Sequence, residues 1–184
     1  MALDYTKGCV NFRDVGEWIN EIAGYRLLPP RRILRGGKLD FVCSPAEVGR
    51  PETIISVRKS PDWHGWLFGA RPFHFPISND YEKYDTSIPE VRQWLIRILR
   101  CFENEVTGYP VLIHCTSGKD RTGVVVAALL AVLGLDPEMI VEEYLLSDGE
   151  VDEAWIRLAL HGMGDPVAYF SDVNLETVVR NISG

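Results

Sequence analysis

The sequence predicts an α/β fold, in which a central and mostly parallel sheet is flanked by helices, as one domain over residues 1–184. Three observations support this prediction. Short runs rich in Ile and Val alternate with amphipathic segments. One apolar strand leads through a polar loop into an apolar helix, as in parallel α/β sheets. No repeat or Ser/Pro-rich linker divides the 184 residues, of which 46% are hydrophobic, so one core is sufficient.

Four strands are predicted from short β-branched or apolar runs. The segments "RRILRGG" (31–37) and "ETIISVRKS" (52–60) end at Gly-Gly and at Ser-Pro, which are turn signals. The segment "RPFHFPI" (71–77) is a third strand, although its two prolines limit ladder hydrogen bonds. The segment "PVLIH" (110–114) is apolar almost throughout, which indicates a strand that is buried on both faces.

Five helices are predicted from apolar spacing and from N-terminal signals. The first has apolar residues at spacings of three and four, and the second is apolar on every side, so it is expected to pack inside the domain. An Asp-Pro pair supplies the N-cap and the first-turn proline of the third. The predicted helices begin at Pro89, at Val124 (through Leu133), after Asp136-Pro137, at Glu150 (through Leu160) and at Ser171 or Asp172 (through Asn181).

Composition excludes several classes of function. The formal net charge of −7 disfavours nucleic acid and anionic membranes as partners, so an anionic substrate must be held by local donors. The four cysteines (9, 43, 101 and 115) form no CxxC pair and have no His at metal-ligand spacing, so we expect no metal, no cofactor and no disulfide framework.

The same evidence bears on location. The apolar run Val124 to Leu133 is about half of the roughly 20 residues that a membrane-spanning helix requires. The N-terminal segment "MALDYTKGCVNFRD" lacks the basic start and apolar stretch of a secretory signal. We therefore expect a cytoplasmic protein without membrane insertion.

The loop "HCTSGKDRTG" (114–123) connects the strand at 110–114 to the apolar helix, and it predicts an anion site. Small and polar residues let a tight loop point successive N–H groups inward, and the helix N-terminus adds donors and partial positive charge. A cysteine in such a nest beside a guanidinium is expected to be a thiolate at neutral pH. The predicted substrate-binding residues are Thr116, Ser117, Gly118, Lys119, Asp120 and Arg121.

Each remaining polar residue of the loop has an expected task. Cys115 is the predicted nucleophile, since a thiolate attacks phosphorus directly. Arg121 offers a planar fork of donors to two phosphoryl oxygens, which lysine cannot reproduce. Thr122 is predicted to hydrogen-bond the sulfur when it departs. His114 is predicted to orient the loop through backbone contacts rather than to exchange protons.

These residues resemble a known family. The loop matches every fixed position of the HCxxGxxR[ST]G loop of the cysteine-dependent protein tyrosine and dual-specificity phosphatases. It is most similar to bacterial tyrosine phosphatases and phosphoinositide-active relatives that carry HCxxGKDRT. The segments "NFRDVG", "ILRGGKLD" and "TIISVRKSPD" are similar to further elements of that group in order and spacing. Two segments depart from it: Ser56-Val57-Arg58 stands where many relatives carry Asp-Leu-Arg, and Arg35-Gly36-Gly37 where they carry Arg-Ser-Gly.

The resemblance implies a metal-independent phosphatase that works through a cysteinyl-phosphate. Phosphotyrosine on proteins is the first expected substrate, with dual specificity as an extension, and a phosphoinositide is the alternative within the class. The loop also admits two other classes, a sulfurtransferase and a module that binds phosphate without turnover. A nucleotide-binding P-loop is excluded, because its pattern requires Gly at 113 and Ser or Thr at 120, where Ile113 and Asp120 stand.

The general acid is not fixed by the loop, and three aspartates are candidates. Asp80 lies 35 residues before Cys115, after a predicted strand, where the resemblance places the acid of compact relatives. Asp120 is an alternative because some relatives with Gly-Lys-Asp-Arg use it, and Asp85 lies in the same loop as Asp80. The segment "SPDW" (60–63) is interpreted as a turn, and the basic group Arg31, Arg32, Arg35 and Lys38 as a solvated face.

Overall fold

A mixed and mostly parallel sheet lies at the centre of the structure, a computed structural model that describes residues 8–62, 69–104 and 107–184. Within these residues the strand order is β1-β2-β5-β3-β4; β1 is antiparallel to β2, and every other pair is parallel. The predicted fold class is thereby confirmed. The strands are β1 (Arg13–Asp14), β2 (Ile33–Gly36), β3 (Thr53–Ser56), β4 (Arg71–His74) and β5 (Val111–His114).

Seven α-helices are present in the described part of the chain. They are α1 (Val15–Ala23), α2 (Pro89–Glu103), α3 (Asp120–Val132), α4 (Pro137–Leu145), α5 (Glu153–Met163), α6 (Pro166–Tyr169) and α7 (Leu175–Ser183). None of the helices that are described is both long and apolar enough to cross a membrane.

The alternation of side chains along the strands divides the core in two. In β5, Val111 and Ile113 join the large cluster to which all seven helices contribute, whereas Leu112 joins a smaller cluster on the opposite face. The smaller cluster also contains Leu34 of β2, Ile54 of β3, Cys9, Ala70 and three residues of the segment after β2, Leu39, Val42 and Val48. This segment includes a short 3₁₀ helix, Pro45–Val48. As predicted, β5 is buried on both faces, so the loop that follows it starts inside the domain.

The helices begin where their capping groups allow. Asp136 caps α4, as predicted, by accepting a hydrogen bond from Glu138 N. The predicted starts of the last two helices were wrong by about three residues, because the caps that close their first turns are Asp152 for α5 and Asn174 for α7. Each cap accepts a hydrogen bond from a backbone N–H within the first turn of its helix.

Two of the helices and one strand were not predicted from the sequence. Helix α1 carries the signals that could have revealed it: Asp14 accepts hydrogen bonds from Gly16 N and Glu17 N, and Gly24 ends the helix with φ 74°. Strand β1 and helix α6 are too short to leave a periodic pattern.

The core predicts a matched pair of stability effects. Phe102 of α2 is fully buried, whereas Phe41 is 66% exposed. We expect Phe102→Ala to lower the free energy of unfolding by about 3–5 kcal/mol, because it removes buried surface and leaves a cavity. Phe41→Ala should change it by less than about 0.5 kcal/mol. Urea unfolding of both variants measures the difference, and equal losses would contradict the assignment of this core.

Candidate active site

The loop between β5 and α3 lies at the carboxyl ends of three parallel strands. In the register of the sheet His114, the last residue of β5, pairs with Gly36 at the end of β2 and with Ser56 at the end of β3. Cys115 follows immediately and is 2% exposed. Parallel strands bring the segments that follow them to one edge of the sheet, which is where α/β proteins bind ligands.

Three consecutive carbonyl groups of the loop are held by other segments of the chain. The hydrogen bonds are Lys38 N to Thr116 O (3.0 Å), Asn11 Nδ2 to Ser117 O (2.9 Å) and Arg35 Nη2 to Gly118 O (2.9 Å). In a planar trans peptide the N–H points away from the carbonyl oxygen. The N–H groups of residues 117–119 therefore face the opposite side from these donors, and such a run of N–H groups is suited to bind a tetrahedral anion.

Glycine is required at two positions around this loop. Gly118 has φ +69°, and a Cβ there would lie 2.4 Å from the backbone carbon of Gly36. A Cβ on Gly36 would in turn lie 2.5 Å from Cys9 Sγ. The second contact explains why this chain has Gly36 where the resembling sequences carry Ser, since the Cys9 thiol fills that space.

A buried ion network supports the loop from behind. Glu143 of α4 contacts Arg13 Nε at 2.8 Å and Arg35 Nη1 at 2.5 Å. Burial and the nearby Arg13 lower the pKa of Arg35 to about 10 and Glu143 opposes the shift, so Arg35 remains charged at neutral pH. The interpretation of Arg35 as part of a solvated face was wrong, because its guanidinium is fully buried and binds the carbonyl of Gly118.

Arg121 lies in the first turn of α3 and contacts the loop that follows β4. Its Nη2 donates a hydrogen bond to Asn79 Oδ1 at 2.5 Å. This contact joins the segment 76–88, which runs from β4 to α2, to the residues predicted to bind phosphate. Asp80 is the next residue in that loop.

The structure places the three candidate acids differently. Asp80 is exposed, and its Oδ2 accepts a hydrogen bond from Ser78 Oγ at 2.7 Å. Asp120 accepts one from the hydroxyl of Tyr84 at 2.9 Å. Asp85 accepts the N–H and the hydroxyl of Ser87 just before α2, so it closes a local turn. Asp120 precedes Arg121 in the chain, and Asp80 follows Asn79, the residue that Arg121 contacts.

His114 has a partner that was not predicted. Its backbone oxygen accepts a hydrogen bond from Val57 N, as expected of a residue that orients the loop through its backbone. Its buried imidazole Nε2 also lies 2.9 Å from Asp62 Oδ2. Burial raises the pKa of Asp62, but the contacts with His114, Ser56 and Arg58 outweigh it and hold the pKa at about 2. Asp62, assigned only to a turn by the sequence, is therefore part of the support of the site.

The hydrogen bond predicted for Thr122 belongs to the departing sulfur and stays a prediction. The side chain of Thr122 is buried, and among the described residues its Oγ1 has no hydrogen-bond partner, Cys115 Sγ included. In the same described ranges no group of three or more His, Cys, Asp or Glu could hold a metal ion.

Comparison with known proteins places this site in a family. A model of the tyrosine phosphatase family matches residues 76–178, more than half of the chain. The triple specificity protein phosphatase PtpB of Mycobacterium tuberculosis is 50% identical over 52 residues, which cover 28% of this chain and 19% of PtpB. H16_A0669 of Cupriavidus necator, named as a tyrosine-protein phosphatase, is 31% identical over 170 residues, 75% of this chain and 60% of that protein. The chain spans less than two thirds of either relative.

Solved structures share the fold. The core catalytic domain of the PP-IP phosphatase SIW14 from S. cerevisiae matches with a TM-score of 0.52 and 19% identity over 80% of this chain and 86% of that one. TpbA of P. aeruginosa matches with a TM-score of 0.52 and 23% identity over 83% of this chain and 87% of that one. TpbA has also been solved in complex with pTyr.

The contacts of Asp62 predict a dependence of stability on pH. Because its folded pKa is held at about 2, below the ordinary 3.8, its ionised form stabilises the fold above pH 4, and this contribution is lost as the pH falls toward 2. The urea concentration at the midpoint of unfolding should therefore fall more between pH 5 and pH 2.5 for wild type than for Asp62→Asn. The exposed Asp172→Asn is the control and should follow wild type; an Asp62→Asn profile parallel to wild type would contradict the role of the carboxylate.

Proposed function

Since the chain belongs to the tyrosine phosphatase family, we propose that it hydrolyses phosphomonoesters on proteins, phosphotyrosine first, through a cysteinyl-phosphate intermediate. One observation carries the proposal. The carbonyl groups of Thr116, Ser117 and Gly118 are held on the outer side of the loop, behind a buried Cys115. A loop so held offers its N–H groups to a phosphoryl dianion and to a thiolate.

The first step transfers the phosphoryl group to sulfur. The Cys115 thiolate attacks phosphorus, the S–P bond forms and the P–O bond to the leaving group breaks. The loop N–H groups and the guanidinium of Arg121 bind the equatorial oxygens, where negative charge is spread in the transition state. Asp80 donates a proton to the leaving oxygen.

The second step regenerates the enzyme. Asp80, now ionised, takes a proton from water as the water oxygen attacks phosphorus, and the S–P bond breaks. The hydroxyl of Thr122 donates a hydrogen bond to the departing sulfur of Cys115. Among the described residues the buried Oγ1 of Thr122 has no hydrogen-bond partner, and the departing sulfur would supply one.

We assign the acid to Asp80 rather than to Asp120 on two grounds. Asp80 is exposed, and it directly follows Asn79, which accepts a hydrogen bond from Arg121, so its carboxyl group is available to protonate a leaving group at this end of the loop. Asp120 already accepts a hydrogen bond from the hydroxyl of Tyr84, so one of its carboxylate oxygens is engaged away from a leaving group.

The substrate class follows from the relatives and from the loop. PtpB is named as a protein phosphatase and TpbA binds pTyr, which supports a phosphorylated protein as the substrate. SIW14 is named as a PP-IP phosphatase, which keeps an inositol phosphate as the alternative within the class. A sulfurtransferase and a non-catalytic phosphate-binding module are the rivals outside it.

Cleavage of p-nitrophenyl phosphate tests the function. We expect hydrolysis that vanadate inhibits and a chelator does not. Cys115→Ser should abolish it, and Arg121→Lys should lower kcat about 10²- to 10³-fold, because the two-pronged contact to the phosphoryl oxygens is lost. Cys43→Ser changes an exposed cysteine and is the matched control, which should retain full activity. Thiosulfate-to-cyanide sulfur transfer in place of hydrolysis would indicate the sulfurtransferase, and vanadate binding without turnover the binding module.

The identity of the acid is tested by leaving groups. Asp80→Asn should slow hydrolysis of phosphotyrosine about 10²- to 10⁴-fold, and should slow release of the good leaving group p-nitrophenolate much less. Asp120→Asn and Asp85→Asn, measured on the same two substrates, are the matched comparisons. An equal loss on both substrates for Asp80→Asn, with a selective loss for Asp120→Asn, would transfer the role to Asp120.

A further inference from the structure

A cavity of about 370 Å³ opens beside the loop between β5 and α3, residues 115–119, which is called the phosphate loop after its proposed function. It lies between the loop that follows β4 and helix α5, and its lining residues are Glu82, Lys83, Tyr84, Asp120, Trp155 and Leu158. We propose that this cavity binds a basic side chain, arginine or lysine, of the protein substrate next to its phosphorylated residue. The inference rests on the proposed function and narrows its substrate class.

The position of the cavity suits a subsite. Asp120 belongs both to the cavity wall and to the segment that forms the phosphate site, and it is followed directly by Arg121. A peptide that places its phosphoryl group in the loop therefore brings a neighbouring side chain to the cavity. The long side chain of arginine or lysine can reach it from the peptide backbone.

The hydrogen bonds of two tyrosines make Asp120 an acceptor. Tyr84 donates its one hydroxyl proton to Asp120 Oδ1, so Tyr144, whose hydroxyl oxygen lies 2.7 Å from that of Tyr84, must donate to Tyr84. Asp120 is then an acceptor. The structure assigns no donor in the described ranges to its second carboxylate oxygen, which is left for a ligand.

The rest of the wall adds complementary groups for a cation. Trp155 and Tyr84 pack with ring centroids 5.8 Å apart, and an aromatic face attracts a guanidinium or an ammonium group. Glu82 supplies a second carboxylate, and Lys83 is the single cation among the lining residues. Acidic and aromatic groups together favour a basic side chain over an apolar one.

The same charges disfavour a polyphosphorylated inositol. Its additional phosphates would meet Asp120 and Glu82 at the rim. Lys119, the loop cation that would suit extra phosphates, lies instead along Gly149: a Cβ on that glycine would be 3.7 Å from Lys119 Nζ. The net charge of −7 also attracts a basic protein segment more than a polyanion.

The test uses phosphotyrosyl peptides that differ in one residue. Arginine, its neutral isostere citrulline, and glutamate are placed in turn at each of the three positions before and after phosphotyrosine. For wild type we expect at least one position at which kcat/KM for arginine exceeds that for glutamate about tenfold or more, with citrulline between them. The preference should weaken as salt is added.

Variants connect the preference to the cavity. Glu82→Gln combined with Trp155→Leu should reduce the arginine-to-glutamate ratio to about twofold or less. Glu176→Gln combined with Trp18→Leu, an exposed glutamate and a partly buried tryptophan outside the cavity, is the matched control and should keep the wild-type ratio. The ratio is internal to each enzyme, so a loss of folded protein cancels.

The outcomes separate this inference from the proposed function. If the enzyme hydrolyses neither p-nitrophenyl phosphate nor any of the phosphopeptides, the proposed function itself is wrong. If peptides are hydrolysed with a ratio near one at all positions, or if the cavity variants keep the wild-type ratio, the subsite is refuted and the phosphatase function stands. Hydrolysis of inositol phospholipids in preference to all peptides would overturn the choice of a protein substrate.

Discussion

The carboxylate of Glu143 holds two buried guanidinium groups, and one of these holds the phosphate loop. Glu143 contacts Arg13 and Arg35, and Arg35 donates to the carbonyl of Gly118. One carboxylate compensates the charge of both buried guanidinium groups, and it can do so only when α4, β1 and β2 are correctly packed. The direction in which the loop N–H groups point thus depends on an ion network that never touches the substrate.

The sheet explains how so many segments meet at one small site. Strands β2, β3 and β5 are parallel and in register, so the segments that follow them emerge side by side. The first contributes the N–H of Lys38, the second contributes Asp62 behind His114, and the third contributes Cys115 itself. The loop after β4 then reaches Arg121 through Asn79. The base of the candidate site is thus formed by segments that follow the parallel strands, and one side of it by residues 76–88.

The charge that the loop offers and the charge of the whole molecule have opposite signs. The phosphate loop offers local donors and one guanidinium, which suit a dianion. The molecule as a whole carries −7, and the cavity beside the loop adds Asp120 and Glu82. The proposed substrate, a protein segment with one phosphoryl group and basic surroundings, would match both the local donors and the negative surroundings better than an inositol that bears several phosphates.

The sequence alone determined the local features: the strand at 111–114, the anion loop, the helix after it, and the Cys115 and Arg121 that the loop carries six residues apart. These features follow from the backbone preferences and apolar spacing of one continuous segment. Tertiary structure alone decided that Arg35 is buried, that Asp62 supports His114, and that Tyr84 donates a hydrogen bond to Asp120. Their contacts join residues 36 to 108 positions apart, and the types of the residues do not specify such pairings. Only packing of the strands and helices brings the partners within hydrogen-bond distance.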